Sequence, residues 1–137
     1  MKEENSEWTG VDLSEKMIEK ARQKNLYHEL YHEEITNFLQ KNNIKHNFIL
    51  LFDVLEYTKE IYKIFVLCKH TPLLFTTENA PPSVQTFALS ETGRYWHNEE
   101  YIKTLLKKAG YQNIKSYPLV LRQENGNDVS GTLWFAS

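Results

Sequence analysis

Residues 47–57 read NFILLFDVLEY, and the apolar stretch at their start limits the possible folds more than any other feature of the chain. A strand with one wet face alternates apolar and polar side chains. A continuous apolar run instead suits a strand covered on both faces, as in parallel sheets sandwiched between helices. The run gives way at Asp53 to a loop, and the helical pattern TKEIYKIFVLCKH follows. Pro72 breaks that helix, and PLLFTTE supplies a second strand of the same buried kind.

The flanking segments extend the alternation. EWTGVDL predicts a short extended piece, and SEKMIEKARQKN a helix capped by Ser14, with Met17, Ile18 and Ala21 on one face. LYHELYHEEITNFLQ has two readings: continued helix, or a short strand near Leu30 followed by a helix through Phe38 and Leu39. HNEEYIKTLLKKAG is amphipathic, with Tyr101, Ile102, Leu105, Leu106 and Ala109 in its stripe and Gly110 just past its end. YQNIKSYPLVLRQ and VSGTLWFAS are strand-like, and ENGND between them has hairpin-turn chemistry. The order predicts one α/β domain over residues 1–137: a Rossmann-like, doubly wound, mostly parallel sheet with a C-terminal antiparallel hairpin. In such sheets ligands sit beyond the carboxyl ends of the strands. Those ends fall at Asp12, at Glu33 and Glu34, at Asp53, and at Thr77 to Asn79.

Charge and cysteine usage narrow the function classes. A formal net charge of −2 over 137 residues offers no general attraction to a phosphate backbone, so nucleic acid is not indicated as a partner. No apolar run approaches the ~18 residues a bilayer demands, and the acidic start MKEENSEW does not resemble a signal peptide. A single cysteine, Cys68, cannot form an intrachain disulfide and fits a reducing, cytoplasmic setting.

HELYH at residues 28–32 matches the zinc-protease pattern H-E-x-x-H. Zinc would need His28 and His32 on one helix face, Glu29 beside them and a third ligand. The longer zincin pattern puts Gly and His where this chain has Ile35 and Phe38. The expectation is no metal, with two solvent-facing histidines beside a loop.

GVDLSEKMIEKAR is more informative. An acid that ends a strand before a capped helix suits a ribose, whose vicinal hydroxyls a carboxylate can accept; the same Asp12 also serves as a plain cap. Together with LYHELYHEEITNFL, FILLFDVLEY, SETGRYWHNEEYIKTLLKKAGY and RQENGNDVSGTLWFA, it makes nearly the whole chain resemble the class I S-adenosylmethionine-dependent methyltransferases. The nearest likeness is to the predicted methyltransferases that carry TPR repeats. The resemblance implies S-adenosylmethionine as cofactor and methyl transfer to an acceptor, small molecule or protein, that the sequence does not name. It implies Asp12 on the ribose, with Leu13 and Met17 near the adenosyl group. Glu34 and Ile35 would meet the adenine, and Asp53 and Val54 would lie beside the cofactor. Glu56 and Tyr57 would face the acceptor, as would Arg94, Tyr95 and His97 of the TGRYWH cluster.

Bland roles stand beside these: Met17 as core, Asp53 as a helix cap, TGRYWH as a loop brace, RQENG as a structural hairpin. The catalytic residues remain unassigned, because an activated methyl group needs mainly positioning. Where the acceptor must lose a proton, His97 is the first candidate base, then Tyr95 or Glu56.

The family's first strand and Gly-rich turn belong about 20 residues before the ribose acid, and only eleven residues precede Asp12 here. The expectation is a truncated domain without its first strand and helix, which pairs with itself or with a complementing chain through an incomplete sheet. A non-catalytic interaction module that keeps the fold is the alternative. A nicotinamide dehydrogenase would share the ribose acid but not the DVLEY or TGRYW stretches.

Overall fold

The computed structural model describes residues 6–41, 46–68 and 70–137. The chain divides into two compact units, residues 1–44 and 45–137.

In the first unit, β1 (Thr9–Asp12) pairs in parallel with β2 (Glu29–His32), Asp12 opposite His32. Between them runs α1 (Glu15–Gln23), started as expected by Ser14, whose Oγ accepts from the Met17 backbone N–H at 3.3 Å. The role of Met17 as core, set beside its place near the adenosyl group, fails on this helix. Met17 is 51% exposed, and of the three residues on its predicted face only Ile18 is fully buried. The second unit's longer helix buries three residues over ten, so α1 covers little core by comparison. After β2, α2 (Ile35–Lys41) buries Phe38 and Leu39, and Phe38 packs on Tyr31 with ring centroids 5.0 Å apart. HELYH is therefore a strand entry and not a helix. Four residues of strand place His28 and His32 roughly 13 Å apart, beyond the reach of one zinc ion. His32 Nε2 instead lies 2.8 Å from the Leu13 carbonyl oxygen.

The second unit holds a four-stranded sheet in the order β3 (Ile49–Leu51), β4 (Leu73–Glu78), β8 (Asn127–Ala136), β7 (Ile114–Glu124). β3 and β4 are parallel, as the two apolar runs predict, and α3 (Ile61–Leu67) crosses between them, but β3 is not covered on both faces as expected: Leu51 is buried, whereas Leu50 and the flanking Phe48 and Phe52 are exposed. The other two ladders, β4 with β8 and β8 with β7, are antiparallel. Antiparallel pairing thus makes up more of this sheet than the sequence led us to expect. A short pair, β5 (Phe87–Leu89) and β6 (Tyr95–His97), precedes α4 (Glu99–Lys108).

The core lies where α3 and α4 cover one face of this sheet. Ile61, Ile64 and Phe65 from α3 and Ile102 and Leu106 from α4 are essentially sealed. Phe75 stacks on Trp134 at 5.9 Å and 7°, and Phe65 closes on Phe75 at 5.3 Å. The Trp134 indole N–H donates to Thr77 Oγ1 at 2.9 Å, so the largest buried ring leaves no donor unpaired. Gly110 ends α4 at φ +105, where a Cβ would collide with the His70 ring, so the backbone and the packing both require glycine.

Candidate active site

In the first unit, Asp12 stands at the carboxyl end of β1. Its Oδ1 accepts from the Ser14 N–H at 2.7 Å, and its backbone carbonyl accepts from the Glu33 N–H at 3.0 Å. One carboxylate oxygen therefore orders the turn into α1, and Oδ2 keeps its lone pairs for another donor. Leu13 and Met17 are both exposed beside it. Glu34 sits at the start of α2, where its Oε2 accepts from the Asn37 N–H at 3.1 Å and from the Thr36 hydroxyl, and Ile35 opens the helix. That is capping geometry, supplied by a glutamate where a shorter acid is usual.

In the second unit, the expected residues gather beyond β3 and β4. Asp53 takes the left-handed conformation (φ 56), which aspartate tolerates better than most residues, and its N–H donates to Thr76 Oγ1 at 3.1 Å. Val54 leads into a 3₁₀ turn, Leu55–Tyr57. Tyr57 points outward at 67% exposure, whereas Glu56 is 1% exposed and neither of its carboxyl oxygens has a hydrogen-bond partner on another of the described residues. Burial raises the Glu56 pKa to about 7 against a bond from its own backbone N–H; the charges of Asp53 and Glu78 add to the rise and Arg122 opposes it.

His97 braces this turn. Its Nε2–H is shared between the carbonyl oxygens of Leu55 (3.1 Å) and Thr58 (3.0 Å), which fixes the neutral tautomer. Burial lowers its pKa, and the two carbonyls offset part of that. Nδ1 is buried without a partner among the described residues. Tyr95 lies against Phe87 and His97, with centroids 6.3 and 6.4 Å away.

Glu78, at the end of β4, organises the rest. Its Oε1 accepts from Arg94 Nε (3.2 Å) and Arg122 Nη2 (2.5 Å), and its Oε2 from the Trp96 indole N–H (2.7 Å). Glu124 Oε1 binds both guanidinium groups, Arg122 Nε at 3.0 Å and Arg94 Nη2. Asp53 is 3.9 Å from Arg122 Nη1. Partial burial disfavours the Arg122 charge, but Glu124 and Glu78 outweigh it and raise its pKa. The same Arg122 bond, with Arg94, lowers that of Glu124.

Arg122 reaches Glu78 because of a bulge in β7. Val120 pairs with Ser130 and Arg122 with Val129, so Leu121 is an extra residue in the ladder. Leu121 packs over Gly131, where a Cβ would overlap its side chain and stand 2.7 Å from the Thr77 carbonyl oxygen. Gly131 is also the residue opposite Glu78. The missing side chain leaves the space that Leu121, the extra residue of the bulge, fills.

Trp96, Arg122 and Glu124 were not among the expected site residues, and Glu78 entered only within the strand end Thr77 to Asn79. Two signals for them were in the sequence: an acid ending the TTE strand, and the R-x-E alternation of RQENG, there read as a hairpin only. RQENG is that hairpin, with Asn125 and Gly126 at positive φ, and it also carries half of the ion-pair network.

No protein-family model matches the chain, and no curated protein matches it. Solved structures do. A SAM-dependent methyltransferase from Archaeoglobus fulgidus superposes with TM-score 0.68 at 14% identity, over 94% of this chain and 75% of that one. Magnesium protoporphyrin IX methyltransferase from Synechocystis PCC 6803, solved with bound SAH, gives 0.66 at 17%, over 96% and 64%. An S-adenosylmethionine-dependent methyltransferase from Mesorhizobium loti gives 0.63 at 15%, over 96% and 81%. The fold is that of the SAM-dependent methyltransferases.

Proposed function

We propose that this chain transfers a methyl group from S-adenosylmethionine to an acceptor. The observation that carries the reading is Asp12. In a chain with this fold it ends a parallel strand before a capped helix and has one carboxylate oxygen that no donor of the described residues reaches. That suits a ribose diol, and a hydrogen bond to a charged acceptor is worth roughly 1.5–3 kcal/mol. Glu34 and Ile35, with Leu13 and Met17, would hold the adenosyl end, and Asp53 and Val54 would lie beside the cofactor.

When bound, the cofactor supplies the electrophilic methyl group; the protein's task is to position the acceptor and exclude water. Glu56, Tyr57, Arg94 and Tyr95 are the residues we place toward the acceptor, and of the expected bases Glu56 fits best. His97 is committed through Nε2 to two carbonyl oxygens, which suits a brace more than a base.

We read both units as parts of one cytoplasmic methyltransferase-like domain that a further strand completes. What supports completion is the edge strand β3 of the four-stranded sheet, where Phe48, Leu50 and Phe52 are all exposed. The same exposed row favours the second reading, a non-catalytic interaction module. No helix among the described residues is long and apolar enough to cross a membrane, and the lone Cys68 is buried.

Calorimetric titration with S-adenosylhomocysteine tests the proposal, on this chain and on a version carrying an added strand and Gly-rich turn. Binding to either, weakened in Asp12→Asn, is the expected result. Heat from neither would leave only the interaction module standing.

A further inference from the structure

The sheet of the second unit has two edges, β3 and β7, and they are built differently. On β7 the alternation is set at Asn113, which exchanges both backbone hydrogen bonds with Ser137, at 3.0 and 2.9 Å. Lys115 and Tyr117 therefore turn their backbone groups to β8 as well, and Ile114, Ser116 and Pro118 turn theirs outward. Pro118 has no N–H to offer on that side, and Lys115 is exposed beside it. Both features keep an edge strand from pairing.

β3 carries neither. The Ile49 N–H donates to the Pro72 carbonyl oxygen at 2.9 Å, so Ile49 and Leu51 face β4 through their backbones, and Phe48, Leu50 and Phe52 face away. No proline and no charged residue interrupts Phe48 to Phe52. Among the described residues no strand pairs with this outer side, and the side chains of Phe48, Leu50 and Phe52 are all exposed.

The sequence of the edge points to its occupant. FILLF reads nearly the same in both directions about Leu50. When two copies meet antiparallel on a twofold axis through Leu50, that residue lies opposite its own counterpart. Each Phe48 then lies opposite a Phe52 and each Ile49 opposite a Leu51, so apolar meets apolar at every position, and the outward backbone groups pair. The flanks agree. Asn47 comes opposite Asp53 of the other copy, an amide donor against an exposed carboxylate, whereas a parallel, in-register pairing would set the two Asp53 side chains against each other. A twofold contact also uses up the edge on both copies, so assembly stops at two.

We propose that β3 is a dimerisation edge that pairs antiparallel with β3 of a second copy, centred on Leu50. The inference rests on the reading above that a further strand completes this sheet, and it names that strand; it does not depend on methyl transfer.

Sedimentation equilibrium of the full chain over a range of concentrations tests it. The expected result is a reversible monomer–dimer equilibrium of the 16.2 kDa chain with no larger species. Leu50→Lys, a change at an exposed position, sets two ammonium groups face to face and should raise the dissociation constant about tenfold or more, with an unchanged far-UV spectrum. Cross-linking reads the register, and the native Cys68 is buried. Leu50→Cys should form an intermolecular disulfide on mild oxidation, because directly opposed, hydrogen-bonded residues have Cα atoms about 5.5 Å apart. Phe48→Cys alone should not, since the two positions lie four residues apart along the strands, roughly 13 Å. A monomer at every concentration overturns the proposal. So do a series of larger species, a dimer that Leu50→Lys does not weaken, and a disulfide through Phe48→Cys as ready as through Leu50→Cys. The version carrying an added strand keeps the dimer apart from the completion reading. Should that version be a monomer where the chain itself is a dimer, both stand, because the added strand has taken the edge. A dimer in both forms keeps the β3 pairing and removes the added strand from this edge.

Discussion

Glu56→Gln should stabilise this protein above neutral pH and do little in acid. The wild-type carboxyl is sealed and unpartnered, with its pKa raised from 4.5 to about 7, burial being the main cause. Between those two values the folded chain binds a proton at Glu56 that the unfolded chain has already lost, so stability falls as pH rises through that window. The full penalty, reached above pH 7, is about 3 kcal/mol. Glutamine keeps the shape of the protonated acid and cannot ionise. In urea denaturation the two proteins should differ by less than about 0.5 kcal/mol at pH 4.5 and by about 3 kcal/mol at pH 8. The second gap is worth about 10 °C in Tm for a chain of this size. Contributions from other titrating groups, His97 included, cancel in the difference. Parallel stability curves would refute the reasoning, since they would mean that Glu56 is ionised in the fold and already solvated or paired.

Asp12→Asn should weaken S-adenosylhomocysteine by about 10- to 100-fold in calorimetry with an unchanged far-UV spectrum. Phe75→Ala removes the ring between Phe65 and Trp134 and should cost about 3–5 kcal/mol in urea denaturation. Gly131→Ala should cost about 1–3 kcal/mol, because the added methyl meets Leu121 and the Thr77 carbonyl group, and Leu121→Ala should recover part of it. His97 contributes with the opposite pH sense to Glu56: burial lowers its pKa, so its share of stability is complete above 6.5 and disappears on acidification, an effect that His97→Asn should abolish.

The parts of the fold that could be read in the sequence are those fixed by local pattern. The apolar runs at β3 and β4, the stripe of α4 with Gly110 behind it, and the Asn125-Gly126 turn each carry their reason within a few residues. Met17 misled because helical spacing says which residues share a face, not how much of that face is covered. The antiparallel share of the sheet was under-read, since strands β7 and β8 reveal that they pair with each other but not which strand β8 joins next. The ion-pair network was less visible still. It joins Glu78 to Arg94, Arg122 and Glu124 across long sequence separations, and its geometry depends on one unpaired leucine.

That leucine bears on how relatives of this chain should be aligned. The hairpin turn sets pairing at one end of β7 and the Ile114–Ala136 end, with Ala136 buried, sets it at the other, leaving an odd residue between them at position 121. A homologue with an uninterrupted ladder is one residue shorter there, and the gap belongs at Leu121. Shifted towards the turn, it would match Arg122 to a neighbour of the true counterpart and hide the guanidinium group from any comparison of sites.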